Sequence, residues 1–190
     1  KSQELNVIAF GSKDPVWIEI LERDGDLHSE CASLVFGEKW DNANEIEKKK
    51  LRTMIKTVNF GLAYGMGPNK LADTLDISID QAKKLIDKYF KSFPRIKNFL
   101  NILGDYGKRH GYIKTFAPYR RIRWFNSWWP KIYEDVNSAP ELGSIERASK
   151  NTPIQGTSAD MTKYALALLR GRIQICKLPV KLVMTVHDQI

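Results

Sequence analysis

Residues 52–65 read Arg52-Thr-Met-Ile-Lys56-Thr-Val-Asn-Phe60-Gly61-Leu-Ala-Tyr64-Gly65. Arg52, Lys56, Phe60 and Tyr64 recur at every fourth position. On an α-helix a four-residue step turns about 400°, a drift of only about 40°, so the four side chains form one stripe. The stripe offers two cations, then a flat aromatic, then an aromatic with a hydroxyl. A nucleoside triphosphate calls for that set, because cations neutralise its phosphates and an aromatic face packs its base or sugar. By residue type alone two other readings stay open. Arg52 and Lys56 also suit a solvated helix face, and Phe60 and Tyr64 also suit ordinary core packing.

The rest of the chain is compatible with a folded, helix-rich protein. It has 190 residues, 43% of them hydrophobic and 11% aromatic, which argues against disorder. Thirty Lys and Arg against 22 Asp and Glu give a net charge of +8. Such an excess suits a polyanionic partner, although basic soluble proteins are also common. No apolar run approaches the ~20 residues of a membrane span, and no signal-peptide layout opens the chain. Cys31 and Cys176 lack metal-type spacing and read as two buried thiols in a reducing compartment.

Working outward from residues 52–65, the order of elements is readable. Residues 3–10 suit a short helix. Asp14-Pro15 opens another, with an apolar stripe of Val16, Ile20 and Leu21. Residues 27–36 read as helix ending at Gly37. The charged segment Glu45 to Lys50 leads into the long helix of the stripe, which stops near Gly65-Met66-Gly67-Pro68. Ser78 and Gln81 have the spacing of a capping box, and helical periodicity then runs to about Gly111 with a break at Pro94. Tyr112, Ile113 and Thr115, then Ile122 and Trp124, predict a short hairpin. Residues 138–173 read as helix bent at Pro153, and Val180 to Val186 as a β-rich run leading to His187. The fold class is α+β, predominantly α.

Arg-x3-Lys-x3-Phe-Gly-x2-Tyr-Gly resembles motif B, the O-helix, of the family A (DNA polymerase I-like) DNA polymerases. Three further segments resemble the same family in the same order. Ser2-Gln3-Glu4-Leu5-Asn6-Val7-Ile8-Ala9 is similar to the end of motif A. Asn151-Thr152-Pro153-Ile154-Gln155-Gly156-Thr157-Ser158-Ala159-Asp160 is similar to an Asn-x-Pro-x-Gln-Gly-Thr-x-Ala-Asp helix. Val186-His187-Asp188-Gln189 is similar to motif C. Asp26-Leu27-His28-Ser29-Glu30 matches a smaller signature between motifs A and B. The resemblance covers nearly the whole chain.

That resemblance implies a right-hand polymerase segment. Residues 1–23 would be a palm piece following motif A, 24–136 the fingers subdomain, and 137–190 a palm piece ending in motif C. It implies DNA-templated addition of dNTPs to a primer 3′-hydroxyl, helped by two Mg²⁺ ions that stabilise the attacking and leaving oxygens. Asp188, after an apolar run, would be a metal ligand and catalytic residue; by itself it also reads as a turn residue. The second motif A carboxylate is expected just before Lys1. Gln189 stands where many relatives have Glu, and an amide lacks a carboxylate's charge.

By the same resemblance, Lys56 reaches the triphosphate and acts in catalysis, Arg52 clamps its γ-phosphate end, and His28 donates to the β-phosphate. Phe60 packs on the incoming sugar and base, where relatives with Tyr accept dideoxynucleotides more readily. Tyr64 stacks near the insertion site, and its hydroxyl pairs with Glu4. That carboxylate fills the space of a ribose 2′-hydroxyl. Arg147, Asn151, Gln155 and His187 would read the primer-template minor groove, whose acceptors occupy similar places in every Watson–Crick pair. Capping or internal hydrogen bonds are the plainer roles for those four. The basic, aromatic run Lys108 to Trp124, with Arg120 and Arg121, is expected to contact template DNA; its match is partial, with Ala117-Pro118-Tyr119 where relatives show a Phe-Gly-Arg run.

The implied partners are primer-template DNA, dNTPs and further polymerase domains, in the cytoplasm of a bacterium or phage-infected host, with no membrane. The isolated segment is expected to be inactive. Two rivals stand beside this reading. A single-subunit RNA polymerase shares the Arg/Lys stripe, but Glu4 and Phe60-Gly61 argue against it. A catalytically silent nucleic-acid-binding module would share the basic surface without the chemistry.

Overall fold

The structure is a computed structural model, and residues 3–125 and 139–183 are described. Local chemistry sets the helix boundaries. Helix α1 spans Gln3–Ser12 and α2 spans Pro15–Glu22. Asp14 caps α2 by accepting from the Trp17 amide, and Pro15 sits where a missing N–H costs nothing. Helix α3, Leu27–Phe36, is capped by Asp26 and ends at Gly37, followed by the single turn α4, Glu38–Asp41. Helix α5, Glu45–Ala63, opens on a capping box in which Asn44 and Glu47 satisfy each other's backbone N–H. Ser78 and Gln81 do the same for α7, Ile79–Ser92.

Helix α6, Pro68–Leu75, lies between them and is not foreseen by the sequence reading. Its N-cap is Gly67, which has no side chain to mark the start. Helix α8 runs Pro94–His110, then strands β1, Tyr112–Lys114, and β2, Ile122–Trp124, pair antiparallel as predicted. Helix α9 spans Ala139–Ile175 and contains Pro153. The α+β, predominantly α class holds.

The core gathers the inward faces of these helices. Trp17 of α2 meets Phe93 edge-on at 6.2 Å, and Tyr89 of α7 packs on Phe93 at 5.0 Å. Among the described elements the most extensive packing joins α8 to α9, then α3 to α5. The α8–α9 approach is close enough that a Cβ at Gly107 would lie 1.7 Å from Ser149 Oγ, so only glycine fits there. Helix α1 packs against both α8 and α9, and Thr162 donates to Gln3 across that seam.

Two expectations need correction. Val180 to Val186 was expected as strand, but residues 180–183 adopt none, and Val180 and Val183 are exposed. A strand needs a neighbouring backbone, and among the described residues β1 and β2 pair only with each other. Residues 184–186 lie outside the described set. Of the two thiols expected to be buried, Cys31 is buried and Cys176 is exposed, past the end of α9. No described helix is long and apolar enough to cross a membrane.

Candidate functional site

Helix α5 divides its residues as an amphipathic helix should. Leu51, Ile55, Val58, Asn59 and Leu62 are buried, whereas Arg52 and Phe60 are partly exposed and Lys56 is exposed. Tyr64 caps the helix just past its end, its ring 6.2 Å from Phe60. Gly65 then turns the chain with φ +75°, and a Cβ there would meet Arg147 Cα at 3.1 Å. The end of α5 therefore rests directly on α9.

Helix α3 brings its N-terminus to the same face. His28 is buried, its ring 5.9 Å from Phe60. Its Nδ1 lies 3.0 Å from the Asn59 amide nitrogen. Burial, then the nearby Arg52 and Lys56 charges, push its pKa down to about 4, against an opposing pull from Asp26. Asp26 does double duty. It accepts from the His28 backbone N–H at 3.2 Å and takes a bidentate bond from Arg52, Nε at 2.7 Å and Nη2 at 3.1 Å. That guanidinium holds the Asp26 carboxyl well below the usual carboxylate range, against the effect of burial. A cleft of about 300 Å³ lies beside them, lined by Leu5, Leu27, Asp26, His28 and Arg52 among others. A larger cleft of about 630 Å³ between α4 and α5 touches none of the predicted site residues.

Helix α1 supplies the third wall. The Tyr64 hydroxyl donates to Glu4. Burial and that carboxylate raise the Tyr64 pKa to about 12, while a hydrogen bond with Gln155 of α9 pulls the other way. Glu4, His28, Arg52, Phe60, Tyr64 and Gln155 thus form one contiguous group drawn from α1, α3, α5 and α9, with Lys56 on its open side. Cations and a neutral imidazole at one end, aromatic rings in the middle and a hydroxyl–carboxylate pair at the other can hold an elongated polyanion with a flat apolar end.

The expected DNA-contact residues are arranged differently. Arg147 and Gln155 are exposed on α9, and Asn151 has a buried Oδ1 without a hydrogen-bond partner. Arg121 is tied down within the chain, by Asp160 at 2.6 Å and the Gly156 carbonyl at 3.2 Å. Arg120 is exposed, with φ +50°. His187, Asp188 and Gln189 lie outside the described residues. Among the described residues no cluster of three or more His, Cys, Asp or Glu could hold a metal ion, and the expected metal ligand Asp188 lies outside them. Asp26 and Asn59 are residues that sequence reasoning missed. Both stand inside quoted motifs, yet their partners come from another helix.

Comparison with known proteins fits this geometry. The family model for DNA polymerase family A matches residues 1–190. The thermostable DNA polymerase I of Thermus aquaticus is 32% identical over 187 residues, covering 98% of this chain and 21% of that protein. DNA polymerase I of Bacillus caldotenax is 33% identical, over 98% of this chain and 20% of its own length. A solved structure, the POL domain of Pol1 from M. smegmatis in complex with DNA primer-template and dNTP, is similar with a TM-score of 0.84 at 30% identity, covering 99% of this chain and 31% of that one. The chain belongs to DNA polymerase family A. It spans about a fifth of the length of these curated relatives.

Proposed function

We propose that the intact enzyme carrying this chain is a DNA-templated DNA polymerase that adds dNTPs to a primer 3′-hydroxyl. The observation that carries this is the convergence of His28, Arg52, Phe60, Tyr64 and Glu4 on one face, beside exposed Lys56. In this reading His28, Arg52 and Lys56 bind the triphosphate and balance the charge that develops as pyrophosphate leaves. Phe60 packs on the sugar and base. Glu4, held by Tyr64, occupies the space of a 2′-hydroxyl and so favours deoxynucleotides, which supports a DNA rather than an RNA polymerase. Arg147, Asn151, Gln155 and His187 check the minor groove of the primer-template. For Asn151 the donor that such a contact needs is the side-chain N–H of its amide. Arg120 and Arg121 lie near the template, with Arg121 already braced by Asp160. Asp188 would be this chain's ligand for Mg²⁺, which would supply stabilisation of charge on the attacking and leaving oxygens. In terms of subdomains we assign residues 24–136 to the fingers and the flanking stretches to the palm.

Lys56→Ala in the full-length enzyme tests the reading. Single-turnover incorporation should fall about 10²–10³-fold, the cost of one charge-stabilising donor at a reacting phosphate. Primer-template affinity should hold. Unchanged incorporation kinetics would reject the triphosphate role of the stripe.

A further inference from the structure

Asn59 is an unusual choice for the inward face of α5. It is 2% exposed, among Ile55, Val58 and Leu62, where an apolar residue would ordinarily stand. A buried amide is costly unless it has partners, and its Oδ1 has none. Its nitrogen, by contrast, lies 3.0 Å from His28 Nδ1.

An amide nitrogen can only donate. A neutral imidazole has one N–H and one bare nitrogen, and the partner of one nitrogen fixes the state of the other. With Nδ1 accepting from Asn59, the ring proton must sit on Nε2. We infer that Asn59 is a positioning residue that locks His28 as the Nε2–H tautomer and so presents a neutral hydrogen-bond donor to the incoming triphosphate.

The surroundings agree. The charged groups that face His28 are Arg52 and Lys56 from α5 and Asp26 from the start of α3, and with burial their sum keeps the ring neutral down to about pH 4. A neutral ring is single-donor, so which nitrogen holds the proton decides whether it attracts or repels a phosphate oxygen. The reverse amide orientation would place Oδ1 on Nδ1, move the proton there, and turn a bare Nε2 toward the ligand. The structure has the first orientation, with the amide nitrogen 3.0 Å from Nδ1.

The inference rests on the reading that His28 contacts the triphosphate, and the experiment separates the two. In the full-length polymerase, dNTP affinity is measured by single-turnover kinetics for His28→Ala, Asn59→Ala and the double variant. Each single change should weaken dNTP binding roughly tenfold, the worth of one hydrogen bond to a charged group. The double variant should be no worse than His28→Ala alone. If Asn59→Ala adds its full effect on top of His28→Ala, Asn59 acts through the fold and the inference is overturned. If His28→Ala itself has no effect, the triphosphate reading of His28 fails instead, and the inference with it.

Asn59→Asp gives a second readout that a packing role would not produce. A carboxylate against Nδ1 demands a proton there and raises the His28 pKa. In that variant Nε2 donates only when the ring is doubly protonated. Its dNTP affinity relative to the parent should therefore recover as pH falls from 9 to 6. A ratio that stays flat over that range would mean that the proton on Nε2 does not govern dNTP affinity, and a variant that binds more tightly than the parent at pH 6 would mean that the parent Nε2 is bare; either result overturns the tautomer assignment.

Discussion

Helices α5 and α9 both present functional side chains at four-residue spacing, and they treat them in opposite ways. On α5 the polar groups are braced within the chain. Arg52 is held by Asp26, Asn59 holds His28, and Tyr64 holds Glu4. On α9 the corresponding groups are held less tightly. Arg147 is exposed, Gln155 is exposed apart from its bond with Tyr64, and the Asn151 Oδ1 is buried without a partner. The difference follows the ligands proposed for each. A nucleotide must be caught from solution in one geometry, which favours donors already fixed in place. A duplex is long and presents many acceptors, so the exposed donors of Arg147 and Gln155 can meet it without being fixed beforehand.

If that contrast is right, breaking a brace around α5 should produce sharp, residue-specific changes in nucleotide handling. Glu4→Ala carries the largest. It removes both the wall of the sugar pocket and the acceptor for Tyr64. Ribonucleotide incorporation relative to deoxynucleotide should rise about 10–200-fold, the range that one group in a shaped pocket commands. Correct incorporation should slow at the same time, because Tyr64 loses its partner. Competition assays with matched ribo- and deoxynucleotides measure both, and an unchanged sugar ratio would sever the Glu4–Tyr64 pair from sugar choice.

A smaller effect lies in the pH response of the α3–α5 seam. His28 has a folded pKa of about 4 against 6.5 for the free side chain. Between those values the unfolded segment binds a proton that the folded one refuses, so stability is complete above about pH 6.5 and is lost as pH falls toward about 4. The cost is of order 2 kcal/mol. Hydrogen exchange in α3 and α5, corrected for intrinsic rates, should show protection falling across that window in the full-length enzyme. His28→Gln, which cannot titrate, should flatten the response. Asp26 stays ionised throughout the window, since Arg52 holds its pKa below the usual range.

How much of this was legible beforehand follows the same division between local and distant. The α5 stripe could be read because helical period relates residues four apart. The helix starts at Asp14 and Ser78 could be read because each completes its bonds within three residues; the Asn44–Glu47 box has the same local spacing but was not read. The braces could not be read from spacing. Their partners are 26, 31 and 60 residues away. Glu4–Tyr64 was anticipated only through family resemblance, and Asp26–Arg52 and Asn59–His28 not at all. Arg121 shows the same limit. Its sequence setting suggests a DNA contact, and only the fold reveals Asp160 against it. Residues 180–183 failed as a strand for a related reason, since β propensity specifies no partner strand.

The smallest effect tests whether a brace positions or competes. Asp26 engages Arg52 through Nε and Nη2, along one edge of the guanidinium. Nη1 lies outside that bond, so Arg52 can hold Asp26 and a phosphate oxygen together. The carboxylate therefore aims the cation rather than blocking it. Asp26→Asn keeps the helix cap, because Asn caps as well as Asp, and keeps one acceptor for Arg52. It loses the charge and the bidentate grip. Both partners are substantially exposed, at 40% and 47% of their side chains, so the pair contributes about 0.2–1 kcal/mol. The expected result is a dNTP affinity about 2–5-fold weaker, with little change in the maximal rate and a difference that shrinks at high salt. Tighter nucleotide binding in Asp26→Asn would mean the opposite arrangement, with Asp26 occupying the place of the phosphate and the incoming nucleotide having to displace it.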